Sequence, residues 1–135
     1  LIIPALLIGA SALAAPPPSG LQKPAIAQSC TEYIDRGLWV YRYSEWTLSL
    51  RPSDCGRQID ESETGLMFYE IVKKFSGSRF WQNDRGMINQ LTCHLVIARM
   101  KAEWNLDPWR PYVGHNNTVA QECNVTVPDP DPPFH

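Results

Sequence analysis

The sequence is short of the features that most functional classes leave behind. Its 12 basic residues meet 14 acidic ones for a formal net charge of -2, so no overall positive field draws in nucleic acid or an anionic membrane surface. Only four cysteines are present, none in a C-x-x-C pair or interleaved with histidine at zinc-ligand spacing, and this argues against a metal cluster. No G-x-S-x-G elbow occurs: Ser76-Gly77-Ser78-Arg79 lacks the flanking pattern, which leaves serine hydrolase chemistry unsupported. There is no internal repeat, and no motif calls for a cofactor. Nor is there an apolar run of the ~20 residues that a bilayer-spanning helix needs.

The longest apolar run, residues 1–15, is uncharged and built almost wholly from Leu, Ile, Ala and Gly before an abrupt change at Pro16-Pro17-Pro18. It reads as the hydrophobic region of a signal peptide, with Ala12-Leu13-Ala14 as the small residues of a cleavage site after Ala14 or Ala15. No cysteine lies at the cleavage point, which argues against a lipoprotein. No methionine or basic segment precedes the run, so the natural chain is expected to extend further. Residues 16–29 are then a proline-rich linker, residues 30–127 a globular secreted domain, and the proline-rich residues 128–135 a disordered tail. A chain with 44% hydrophobic and 19% charged residues suits one such domain, with no stable membrane span after cleavage.

All four cysteines, Cys30, Cys55, Cys93 and Cys123, fall inside that domain, an even number in a chain bound for an oxidising compartment. Two disulfides are expected. Pairing Cys30 with Cys55 and Cys93 with Cys123 lets each bridge bracket one half of the domain and close a loop worth roughly 3 kcal/mol. The spacing leaves crossed pairings open.

Residues 38–51 have the aromatic and β-branched composition of a strand. Their alternation changes phase midway: Trp39, Tyr41 and Tyr43 share odd positions, Trp46, Leu48 and Leu50 even ones. A turn or bulge near Ser44-Glu45 must reset the face, leaving Glu45, Thr47, Ser49 and Arg51 toward water. Phe68, Ile71, Val72 and Phe75 recur at helical spacing and predict a helix over 62–76, stopped by Gly77. A second helix is predicted over 84–101 with Asp84 as N-cap. Ile88, Leu91, Leu95 and Ala98 line one side of it and Cys93, Val96, Ile97 and Met100 the other, so it is expected to lie centrally between layers. An ordered loop over 104–114 and a short strand over 124–127 complete an α+β domain: a short antiparallel sheet packed on two helices, tied by disulfides.

The most specific local pattern is Trp104-Asn105-Leu106-Asp107-Pro108-Trp109-Arg110-Pro111-Tyr112. Two prolines bias Asp107 and Arg110 toward extended backbone and stiffen the segment. Trp104, Asn105, Asp107, Trp109, Arg110 and Tyr112 are therefore the candidate ligand-binding residues, with the aromatics as a platform for a sugar or other ligand and Arg110 as a fork for a carboxylate or phosphate. The same tryptophans can instead fill the core while Arg110 braces Asp107 or a carbonyl. The favoured reading takes the segment as the recognition surface of an extracellular or cell-envelope binding module.

The strand Tyr43-Ser44-Glu45-Trp46, Cys93-His94 on a helix, the segment from Trp104 to Pro111 and Cys123-Asn124 together resemble an uncharacterised family of small secreted actinobacterial proteins. The resemblance spans residues 38–124 and implies a shared fold and a Cys93–Cys123 bridge, but no activity or catalytic residue. One departure is visible. Members carry an acidic residue soon after the Cys-His pair, where this chain has Leu95-Val96-Ile97.

The same departure removes a secreted phospholipase A2 reading, which needs an acidic partner for the helical histidine and a calcium loop. A small general acid–base hydrolase, ribonuclease-like, is the alternative function: Glu45 and His94 would exchange protons while Arg110 or Arg42 stabilised an oxyanion. His94 also fits a histidine satisfied at the edge of a core helix, and His115 a loop residue. Asn116-Asn117-Thr118 and Asn124-Val125-Thr126 match the N-glycosylation pattern.

Overall fold

The structure, a computed structural model, describes residues 21–126. The expected signal peptide, the tail and the start of the linker lie outside these residues. The architecture is α+β, a three-stranded antiparallel sheet in the order β1-β2-β3 with helices packed on one face.

The change of phase in the strand segment is a hairpin. β1 (Ile34–Arg42) turns at Tyr43 and Ser44 into β2 (Glu45–Pro52), and both turn residues have positive φ, 53° and 62°, the backbone that matches the twist of a two-residue hairpin. Antiparallel pairing sets Tyr41 opposite Trp46 and Trp39 opposite Leu48, which is why odd residues of one strand and even residues of the other share a face. That face carries the core, with Leu48 and Leu50 fully buried. Gly37 lies opposite Leu50 and is small of necessity: a Cβ there would sit 2.3 Å from Cζ of Phe75.

Helix α1 (Thr64–Phe75) follows a short 3-10 turn, Glu61–Glu63, which Asp60 caps by accepting the Ser62 N–H at 2.9 Å. It buries Phe68, Ile71 and Val72 on the predicted stripe, with Leu66 and Met67 beside them. Glu70, on its flank, accepts the N–H groups of Tyr33 and Ile34 and so anchors the start of β1. Next to it Glu63 takes both the N–H and the hydroxyl of Ser29, which hold its carboxyl below the ordinary range. Burial and the neighbouring Glu63 push the Tyr33 phenol up to about 12.

Helix α2 (Asp84–Ile97) departs from expectation at both ends. Its N-cap is Asn83, in the left-handed region, whose Oδ1 accepts the Gly86 N–H at 3.1 Å; Asp84 instead accepts from the Trp81 indole at 2.5 Å. Its C-terminus comes at Ile97, and it is not sandwiched: Val96, Ile97 and Met100 are exposed. Only Cys93 of the predicted second face is buried, because a short helix, α3 (His115–Ala120), packs there. The polar residues of α3 carry no apolar periodicity, so the sequence did not announce it, and His115 opens it instead of lying in a loop.

Strand β3 (Trp104–Leu106) is the start of the segment read as a loop; it pairs with β2 through Leu50–Trp104 and Leu48–Leu106. Residues 124–126 form no strand, and Val127 lies outside the described residues. Thr47 is buried instead of facing water because Asp107, just past β3, covers it, whereas Glu45 and Arg51 are exposed and Ser49 is half-buried. The disulfides join Cys30 to Cys55 and Cys93 to Cys123, with Cα separations of 5.8 and 5.6 Å. Among the described residues no helix is long and apolar enough to cross a membrane.

Candidate functional site

The site is built around Asp107, which is 1% exposed. Gln90 of α2 pairs with its backbone as a strand would, donating to the Asp107 carbonyl at 2.8 Å and accepting its N–H at 2.7 Å. The carboxylate accepts from Nε of Arg110 at 2.6 Å, from the Thr47 hydroxyl, and from Nη2 of Arg42 at 3.4 Å. Arg110 then spends Nη1 on the carbonyl of Val125 at 2.7 Å. From the other side Asn83 donates to the carbonyls of Pro108 and Arg110. Two side-chain amides, Gln90 and Asn83, thus pin a segment that its prolines already stiffen.

Outside this network lies a polar cleft of about 530 Å³. Three cationic side chains, Arg42, Lys101 and Arg110, border it, with Glu103 as its acidic residue. The Lys101 ammonium has no ion pair among the described residues, and the backbone that carries it is held from behind. Arg57 donates to the carbonyls of Arg99, Lys101 and Ala102, while Arg99 returns bonds to those of Arg57 and Ile59.

His94 forms part of the same wall, 5% exposed, with its ring stacked on Trp104 at a centroid distance of 5.7 Å. Its Nδ1 lies 2.7 Å from the Gln90 carbonyl. A carbonyl only accepts, so Nδ1 carries the proton and Nε2, which has no hydrogen-bond partner among the described residues, keeps its lone pair. Burial, followed by the nearby positive charge of Lys101, lowers the His94 pKa from 6.5 against the opposing pull of Gln90 and Asp107.

The unfolded chain therefore takes up this proton near pH 6.5 while the folded chain still resists it. Stability conferred by neutral His94 is complete above that pH and is lost on acidification toward the lower folded pKa. Urea denaturation between pH 7 and 5 is expected to show this decline, and His94→Gln to flatten it; an unchanged slope would contradict the assignment.

The other sequence-predicted residues divide. Asn105, half-buried, and Trp109 line the cleft together with His94 and Arg110. Trp104 is fully buried and Asp107 lies behind the wall, so neither offers a surface. Tyr112 is exposed and turned to Arg85, whose guanidinium carbon is 4.0 Å from its ring centroid, and Trp109 carries Arg110 at 4.2 Å. The aromatics of the segment therefore form no common platform. Arg110 braces Asp107 and a carbonyl, the structural role foreseen for it. Glu45 lines a separate depression of about 180 Å³, on the far side of Trp109. Lys101, Glu103, Gln90 and Asn83 were not anticipated. Only Gln90 left a signal, as a polar residue on the buried stripe of α2. Among the described residues no group of three or more His, Cys, Asp or Glu is placed to hold a metal ion.

A family model matches residues 34–126, well over half of the chain. The chain belongs to that family, described as protein of unknown function (DUF2599). The DUF2599 match begins at the first residue of β1 and ends after Cys123, so it takes in the whole sheet, α1 to α3 and every residue of the cleft, but not Cys30. The chain is similar to an uncharacterized protein of Mycobacterium tuberculosis (strain ATCC 25618 / H37Rv), 28% identical over 109 residues that cover 75% of this chain and 71% of the relative. An uncharacterized protein of Mycobacterium bovis (strain ATCC BAA-935 / AF2122/97) matches to the same extent. No solved structure matches the chain.

Proposed function

We propose that this DUF2599 protein is a secreted binding module, acting outside the cell or at its envelope, and that its ligand enters the cleft beside α2. The observation that carries the reading is the convergence of Arg42, Lys101 and Arg110 on one polar hollow whose wall is tied down by Gln90, Asn83 and the Arg57–Arg99 clamp. Such a wall is preorganised, so little ordering entropy opposes binding. Lys101, the one of these cations without an ion pair among the described residues, selects a carboxylate or phosphate group, and the lone pair of His94 Nε2 selects a neighbouring O–H or N–H donor on the same ligand.

Thermal melting in the presence of inorganic phosphate, lactate, citrate and N-acetylated amino acids tests this. A ligand at ten times its Kd adds about 1.4 kcal/mol, a Tm rise of several degrees for a domain of this size. Lys101→Ala is expected to weaken binding about tenfold, close to the 1.4 kcal/mol of one charged contact. The reading fails if no anion raises Tm, or if the rise is the same in Lys101→Ala.

A second reading, the acid–base hydrolase, is favoured by His94 and Arg110 sharing one cleft, with Glu103 the carboxylate beside them and Glu45 facing the other depression. Turnover of RNA, lipid or peptidoglycan that disappears in a folded His94→Ala variant would establish it. Binding without turnover would dismiss it.

A further inference from the structure

The smaller depression behind Trp109 is a site of different chemistry, and the geometry points to a single sugar ring as its occupant. Its floor and walls are Trp46, Phe80, Pro108 and Trp109, and its rim is Glu45, Arg79 and Gln82. Trp46 and Phe80 are stacked, with centroids 4.1 Å apart and planes 15° off parallel, and Trp39 packs on Phe80 at 5.7 Å. The rings are therefore held before any ligand arrives, and binding does not have to order them. None of the three rim side chains has a hydrogen-bond or ion-pair partner among the described residues, and Arg79 lies over the Phe80 ring with its guanidinium carbon 4.9 Å from the centroid.

These two halves match the two surfaces of a pyranose. The C–H groups of a sugar ring present an apolar face that packs on aromatic carbon, while its hydroxyls radiate near the ring plane as both donors and acceptors. Glu45 accepts, Arg79 donates and Gln82 does both, so the rim can satisfy an edge of hydroxyls. The volume, about 180 Å³, is about a third of that of the cationic cleft, so the depression suits a small ligand on the scale of one ring. Other occupants fit less well. Glu45 offsets Arg79, so there is no net charge to hold a simple anion, and a purely apolar ligand would bury three polar ends without partners. Over the same sheet face Tyr41, 61% exposed and tilted on Trp46 at 5.3 Å, extends the row of rings toward solvent, where the rest of a glycan chain would run.

The sequence-level expectation of an aromatic sugar platform is thereby moved from the 104–112 segment to the joint between the hairpin, the loop before α2 and Trp109. The inference is independent of the anion reading of the larger cleft. Saturation-transfer NMR with the methyl pyranosides of glucose, galactose, mannose and N-acetylglucosamine tests it. At least one is expected to receive saturation on its ring C–H protons at millimolar concentration, with Glu45→Ala and Gln82→Ala each weakening it about tenfold. Lys101→Ala, which alters only the cationic cleft, is expected to leave it unchanged. No transfer to any of the four sugars, transfer that survives both rim variants, or transfer lost in Lys101→Ala would overturn the assignment. Failure of the anion panel alone would leave it standing.

Discussion

Replacing Asp107 with alanine is expected to destabilise the protein by about 3–5 kcal/mol, the usual cost of removing one partner from a buried ion pair. The reason is what remains. Arg110 is only 9% exposed and would keep its charge beside a vacated site, while the Thr47 hydroxyl would lose its acceptor. Replacing both partners by apolar residues of similar shape, Asp107→Leu with Arg110→Met, is expected to recover much of the loss, because no fully buried charge is left unpaired and Arg42, whose side chain is 29% exposed, turns to water. Guanidinium denaturation of the two single variants and the double variant measures the coupling. A cost below about 1 kcal/mol for Asp107→Ala would mean that water reaches the carboxylate and that the network does not hold the segment.

Removal of the Cys93–Cys123 bridge by a double substitution to alanine is expected to cost about 3–4 kcal/mol, from the entropy released when a loop of sequence separation 30 is opened in the unfolded chain. A second consequence is local. Cys123 and the preceding Glu122 both have positive φ, 66° and 53°, a conformation held against its intrinsic cost by the covalent tie and by bonds such as Cys123 N–H to the Thr118 carbonyl. Without the bridge, Val125 no longer stays in reach of Arg110, and anion binding in the cleft is expected to fall together with stability. Opening Cys30–Cys55, whose separation is 25, should cost a similar amount of stability yet leave the cleft intact. Calorimetry with the same anion on both variants separates the two effects; equal loss of binding would show that the cleft reports only global stability. Thiol titration of the natively produced protein is expected to find no free cysteine.

Much of the fold was legible in the residues. The phase change between Tyr43 and Trp46 marked the hairpin, since alternation can invert only where the chain reverses or bulges. The run Phe68, Ile71, Val72 and Phe75 marked α1, because an apolar stripe at helical spacing has one place to go. Even cysteine count and bracketing favoured the observed pairs. Where reading failed, more than one burial scheme satisfied the same pattern. Cys93, Val96, Ile97 and Met100 looked like a second buried face of α2, yet a single polar helix, α3, covers only the first of them.

The cleft was half legible. His94 and Arg110 were singled out and do line one cleft, and the 104–112 segment does supply Asn105 and Trp109. Arg42 was named only as an alternative to Arg110, and Lys101 and Glu103 not at all, because exposed charged residues occur everywhere along a soluble chain. Their significance depends on a convergence that no spacing in the sequence encodes.

From residue order alone, then, came the hairpin, α1, the body of α2, the α+β class and the favoured bridges, all of which depend on local periodicity and on covalent chemistry. Tertiary structure alone decided that Asp107 is buried and Lys101 is not, that Glu45 faces one hollow and His94 another, and that Trp109 stands between them. Those facts are set by which surfaces pack, and packing joins residues whose positions in the chain are too far apart for any local rule to relate.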